Sequence, residues 1–108
     1  MRELYCLTGY GIQYTIMIKS FRCNETQKLF NDESSKRFRN IHKVARRKLE
    51  MLDAAERIDD LRSPPGNRLE LLKGNRIGQH SIRINDQFRV CFRWEGNAAY
   101  NVEIVDYH

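Results

Sequence analysis

The sequence predicts an α+β domain in which helices come first and pack on one face of a small antiparallel sheet formed by the strands that follow. Three observations carry this. Phe38, Ile41, Ala45, Leu49 and Leu52 recur at spacings of three and four, which is one face of a helix. From Leu69 onward the pattern changes to alternation: Ile82 and Ile84, then Phe88, Val90, Phe92 and Trp94, then Tyr100, Val102 and Ile104. Between the two patterns stands Ser63-Pro64-Pro65-Gly66-Asn67. Paired prolines and a glycine suit neither helix nor ladder.

Taken in order, residues 1–16 (MRELYCLTGYGIQYTI) differ from the rest, with two glycines, three tyrosines and little charge. They are expected to be an N-terminal extension outside a core domain of residues 17–108, with Met17 as the working start. The alternative is an edge strand through Ile12, Tyr14 and Ile16. MIKSF, opened by Met17, is a short strand-like run. Asn24 to Phe30 suits a short helix capped by Asn24, and Asn31 to Ser35 a linker. The main helix is expected from about Lys36 to Ala55, with one further short turn toward Leu61. Leu69 to Leu72 is a candidate strand, closed by Lys73-Gly74-Asn75-Arg76. Gln79 to Ile84 and Phe88 to Trp94 form a hairpin across Asn85-Asp86-Gln87. Glu95 to Ala98 turns the chain into a last strand that ends at Val105-Asp106-Tyr107-His108. A regular register puts Asp106, and not Tyr107, on the Ile104 face.

A chain of 108 residues with 41% hydrophobic content suits one modest core. Nineteen Lys and Arg against fourteen Asp and Glu give +5, which favours a polyanionic or acidic partner. Arg39, Lys43, Arg46, Arg47 and Lys48 spread this charge over the main helix, either as a solvated face or as a nucleic-acid or acidic-partner surface. Cys6, Cys23 and Cys91 have no metal-ligand spacing, and an odd, unpatterned count suggests reduced thiols in the cytoplasm. No apolar run reaches the ~18–20 residues needed to cross a bilayer. The first sixteen residues lack the basic start and apolar stretch of a signal peptide.

There is no glycine-rich phosphate loop, no His/Cys metal set and no Ser–His–Asp arrangement. The chemistry lies in the arginines of the hairpin. With a three-residue loop, Ile84 faces Phe88 and Arg83 faces Arg89. Like charges directly opposed repel. An anion between them, most simply a phosphate, would relieve this; so would Glu103 from the next strand on a solvated face. Arg68, Lys73 and Arg76 add cations nearby. RNA cleavage by its own 2′-hydroxyl needs a base, cations on the phosphate and an acid for the leaving oxygen. Arg and Lys fill the second role, and His, Tyr or a lysine of lowered pKa the others. His80 shares parity with Ile82 and Ile84, so it reads equally as a core or rim histidine. Phe92 and Trp94 read as core.

The blocks MIKSF, LKGNRIGQHSIRINDQFRVCFRW and the terminal VEIVDYH resemble the HigB toxins of the RelE/ParE superfamily, over roughly Met17 to His108. The resemblance implies a RelE-like fold, a HigA-type antitoxin, ribosome-dependent cleavage of mRNA that arrests growth, no metal or cofactor, and contact with operator DNA only through the antitoxin. The family's functional positions match Lys73, Arg83, Arg89, Asp106, Tyr107 and His108. By this reading Arg83 and Arg89 meet the scissile phosphate. Lys73 and Arg76 hold flanking backbone, with Arg68, His80 and Asp106 also against the substrate. One departure matters. Some members place a histidine, a favoured general base, three residues before the lysine, and this chain has Glu70 there. Either Glu70 takes that role, or the proton transfers move to His108, Tyr107 or His80. The alternative is a ParE-like inhibitor of DNA gyrase without nuclease activity. A third is a purely structural partner of a DNA-binding antitoxin.

Overall fold

The computed structural model describes residues 5–7, 13–15 and 17–106. Two short strands, β1 (Tyr5–Leu7) and β2 (Gln13–Thr15), pair antiparallel as a sheet of their own. Tyr14 thus pairs with Cys6; Ile12 and Ile16 lie outside the described residues. The remaining elements are α1 (Asn24–Phe30), α2 (His42–Ala54), β3 (Glu70–Leu71), β4 (His80–Arg83), β5 (Phe88–Glu95) and β6 (Ala98–Asp106). The last four form an antiparallel sheet in the order β3-β4-β5-β6. This is an α+β fold of the RelE-like kind.

Residues 17–22 run parallel to β6 and make isolated bridges, Ile18 with Ala99 and Phe21 with Val102. The N–H of Lys19 donates to the Ala99 carbonyl at 2.8 Å, and that of Val102 to the Ser20 carbonyl at 3.0 Å. Deeper along β6, the Ile104 N–H donates to the buried Thr26 hydroxyl of α1 at 3.0 Å. An edge that would otherwise invite another strand is therefore used internally. Asp53 of α2 fastens the same segment, accepting the N–H groups of Met17 and Ile18 at 3.0 and 3.1 Å.

Both helices start differently from the sequence expectation. Cys23, extended at φ −127°, holds the capping position of α1, so Asn24 is already inside the first turn. The main helix begins at His42 and not at Lys36. A 3₁₀ turn, Arg39–Ile41, precedes it without a side-chain cap. Lys36, Arg37 and Arg39 crowd the end where the helix dipole is positive, and Ser35, the residue placed to cap a helix from Lys36, is buried with its hydroxyl donating to the Glu25 carboxylate at 2.7 Å.

From His42 onward, Ala45, Leu49 and Leu52 are fully buried against Ile82, Val90, Phe92, Val102 and Ile104 of the sheet, with Leu29 and Phe30 added by α1. Truncating a fully buried leucine such as Leu49 to alanine costs about 2–5 kcal/mol. The alternation expected for Tyr100, Val102 and Ile104 breaks at Asn101, which takes φ 54°. Cys91 opposes Glu103, yet Arg93 opposes Tyr100, so β6 holds one extra residue. Ala99 consequently fills the core position, and Tyr100 turns to the other face with Arg93.

Candidate functional site

The helices cover one face of the sheet. The other face carries the polar residues in register. Glu70, Ser81, Cys91 and Glu103 stand directly opposite one another across β3, β4, β5 and β6. The next row is Arg83, Arg89 and Val105. Directly opposed residues share a face, so the sheet itself gathers these side chains.

Arg89 is not on an exposed surface. It is 9% exposed, and its guanidinium is gripped at two corners. Nε donates to the Ser81 hydroxyl at 2.7 Å and Nη2 to the Arg68 carbonyl at 2.7 Å. The Glu70 carboxylate lies 3.3 Å from Nη2. Arg83 instead pairs with Asp86 in the hairpin loop and stays about one-third exposed. The opposed arginines are thus neutralised by different acids, Glu70 and Asp86. Glu103, the neutraliser considered from sequence, engages Arg76 at 2.9 Å, and Arg76 also donates to Gln79 at 3.2 Å. Face parity correctly paired the arginines but carried no information on depth or on what covers them.

Arg68 and Lys73 are exposed at the β3 edge. Lys73 precedes the turn Gly74–Arg76, where Gly74 takes φ 65°. Arg93 closes over Gly78, at φ 90°, where a Cβ would stand 3.2 Å from an Arg93 nitrogen. A side chain there would be strained by both backbone and contact. His80 lies on the opposite face from the arginines, its ring stacked on Phe92 with centroids 6.2 Å apart. Burial, aided by the nearby charge of Arg62, pushes its pKa below the ordinary histidine value, so it is neutral near pH 7. Asp106 is exposed at the end of β6, opposite Phe88, and accepts the Gln87 amide at 3.0 Å. Beside this end lies a groove of about 370 Å³ lined by Arg37, Asn40, Asn85, Gln87 and Phe88 among others. Tyr107 and His108, next in the chain, lie outside the described residues.

Two further features went unread in the sequence. Ser81, fully buried, holds Arg89; its parity with Arg83 could have shown this. Asn67 is fully buried in the Pro-rich stretch and bonded to Lys48 of α2, and no local pattern signals that. Cys91, between Ser81 and Glu103, has its thiol pushed up to about 11 by burial, so it is no nucleophile at neutral pH. Among the described residues no three His, Cys, Asp or Glu side chains are grouped to hold a metal. No described helix is long and apolar enough to cross a membrane.

A four-stranded antiparallel sheet backed by two helices, with two opposed arginines on the face away from them, defines a RelE-like toxin architecture. A family model described as the RelE-like toxin of type II toxin-antitoxin system HigB matches residues 19–108. The chain belongs to this HigB-like toxin family: it is the toxin of a type II toxin–antitoxin system and has an antitoxin as its partner. It is similar to Toxin HigB-1 of Vibrio cholerae serotype O1, 41% identical over 87 residues, which cover 79% of this chain and 92% of that protein. It is also similar to an uncharacterized protein of Haemophilus influenzae, 45% identical over 73 residues, 68% of this chain and 72% of the other.

Proposed function

We propose that this toxin is a ribosome-dependent endoribonuclease that cuts mRNA without a metal and is neutralised in the cytoplasm by a HigA-type antitoxin, which also carries it to operator DNA. The observation that carries this reading is the opposed Arg83–Arg89 pair, with Ser81 and Glu70 holding Arg89 on the same face. A phosphate seated there would meet one buried, oriented guanidinium and one partly exposed guanidinium paired with Asp86. In the reaction, the 2′-oxygen loses its proton to a base and attacks phosphorus, giving a cyclic phosphate. The 5′-oxygen leaves and takes a proton from an acid. Arg83 and Arg89 stabilise the charge on the phosphoryl oxygens. Lys73 and Arg76 hold flanking backbone, with Arg68 beside them. Tyr107, His108 and Glu70 supply the proton transfers, and Asp106 anchors the strand end that bears the first two.

The exposed side of α2 supports a polyanionic partner. Lys43 and Arg47, one turn apart on α2, are exposed, with Arg39 exposed in the 3₁₀ turn before it, while the two acids of α2 are engaged elsewhere, Glu50 by Arg46 and Asp53 by the Met17 and Ile18 N–H groups. The test is sequencing of mRNA 5′ ends after brief induction, with toe-printing on purified ribosomes. New ends that appear only on translated mRNA are expected. Intact mRNA beside relaxed plasmid DNA would replace this reading with gyrase inhibition.

A further inference from the structure

We propose that Lys48 and Asn67 form a positioning pair that sets the plane of the Arg89 guanidinium. Asn67 is fully buried, and its amide closes the loop before it, donating to the Leu61 carbonyl at 3.2 Å and the Ser63 carbonyl at 3.4 Å. Its own N–H donates to the Pro64 carbonyl at 2.9 Å. The amide oxygen would be left unsatisfied in the interior, but Lys48 reaches from α2 and donates to it at 2.5 Å. A buried amide needs such a partner.

The consequence falls on the next residue. Arg68 takes φ 45°, a left-handed conformation that non-glycine residues seldom adopt and keep only when their surroundings impose it. The Pro65–Asn67 turn imposes it, closed by the Arg68 N–H on the Pro65 carbonyl at 3.1 Å and held from within by the Asn67 amide. That conformation delivers the Arg68 carbonyl to Arg89 Nη2 at 2.7 Å. A guanidinium is planar, so two fixed nitrogens fix its orientation. Ser81 holds Nε with its hydroxyl at 2.7 Å, but its carbonyl meets Nη2 only at 3.4 Å, so the 2.7 Å bond to the Arg68 carbonyl is the short contact that sets Nη2. Glu70 is no substitute, being more than half exposed on a two-residue edge strand. Burial, with the charges of Arg47 and Arg83, holds the Lys48 pKa below its usual value, which agrees with an ammonium drawn in toward the arginine row. The pair therefore acts through Arg89 and not on the substrate.

This inference rests on the nuclease reading for its catalytic consequence, but its structural core can be read independently. In the full chain labelled with ¹⁵N, the Arg89 Nε–H signal of the wild type should be rigid and slow to exchange with water. Lys48→Met should make it mobile while Arg83 Nε–H is unchanged, and Lys48→Arg should restore it. Should Lys48→Met fail to fold, Asn67→Asp, which keeps the acceptor for Lys48 and loses the amide donors, must show the same release. A folded Lys48→Met with Arg89 as rigid as in the wild type overturns the proposal. In single-turnover cleavage of ribosome-bound mRNA, Lys48→Met should lower the chemical rate by roughly 10–100-fold, the scale of a misplaced group, with ribosome affinity within about twofold of wild type. A lost affinity with an unchanged rate would make Lys48 a direct RNA contact and overturn the positioning role. A wild type that cuts no mRNA would remove the nuclease reading, while the Arg89 signal would still judge the pair.

Discussion

Arg83 and Arg89 stand directly opposite each other on β4 and β5, yet their guanidinium groups part: Arg83 turns outward to Asp86, and Arg89 lies flat in the sheet between Ser81, the Arg68 carbonyl and Glu70. Opposed like charges cost energy, and separate carboxylates offset it. The two arginines are therefore different instruments. One is a fixed, buried donor and the other a half-open one that a ligand can recruit by displacing an exposed aspartate. Their substitutions should separate stability from activity.

Arg89→Ala should destabilise the fold. It removes charge-assisted bonds and leaves Ser81 and the Arg68 carbonyl without their partner, a loss of roughly 2 kcal/mol. For a domain near this size that lowers the melting temperature by about 8–16 °C. Thermal denaturation followed by circular dichroism reads this. A shift of a degree or two would show that the buried guanidinium holds nothing together.

Arg83→Ala should behave in the opposite way. Its partner Asp86 is wholly exposed, and surface pairs of this kind contribute roughly 0.2–1 kcal/mol. The variant should melt close to wild type and still bind the antitoxin, but it should no longer arrest growth at equal expression. Undiminished arrest would take Arg83 out of the site.

These contrasts explain what the sequence could disclose. Period-two alternation fixed which strand residues share a face, so the Arg83–Arg89 opposition and the core face of β4 and β5 were legible. Burial of Arg89 was not, because it depends on Arg68 and Glu70 arriving from a separate loop and strand. The place of α1 was legible to within one residue, although its cap falls on Cys23 and not on Asn24. The start of α2 was not, since apolar spacing continues through Phe38 while the charges of Lys36, Arg37 and Arg39 oppose helix there. Tyr100 left its apparent series because one bulge residue, Asn101, inverts parity. Asn67 reads locally as a loop residue, and only the packing of α2 against the loop gives it Lys48.

His80 should make stability fall in mild acid. Its folded pKa is held below the usual histidine value of 6.5 by burial. The unfolded chain then binds a proton more readily than the folded one. The contribution is fully present above that unfolded value and is lost as pH falls from there through the lower folded value. His80→Phe keeps a ring against Phe92 and removes the titration. Urea midpoints measured from pH 7.5 to pH 5 should decline less for the variant. Parallel declines would show that His80 titrates normally.

The last prediction concerns the proton transfers. Removing Tyr107 and His108 should cost more activity than Glu70→Gln. Glu70 lies within 3.3 Å of the Arg89 guanidinium and is the acid that neutralises it. As a base it would have to leave that partner and approach the RNA's own negative charge. Glutamine in its place keeps a hydrogen-bond acceptor for Arg89 and removes only the charge. Tyr107 and His108 follow Asp106, which opposes Phe88, the neighbour of Arg89. Successive Cα atoms are about 3.8 Å apart, so the last Cα lies within roughly 8 Å of that of Asp106. Histidine titrates nearest neutrality and can take or give a proton there, and a tyrosine hydroxyl can donate. Single-turnover cleavage of ribosome-bound mRNA by both variants, with circular dichroism confirming that each is folded, decides between them. A folded truncation that cleaves nearly normally, beside an inactive Glu70→Gln, would reassign general base catalysis to Glu70. The reverse outcome leaves Glu70 as the counter-charge beside Arg89 that a bound phosphate would replace.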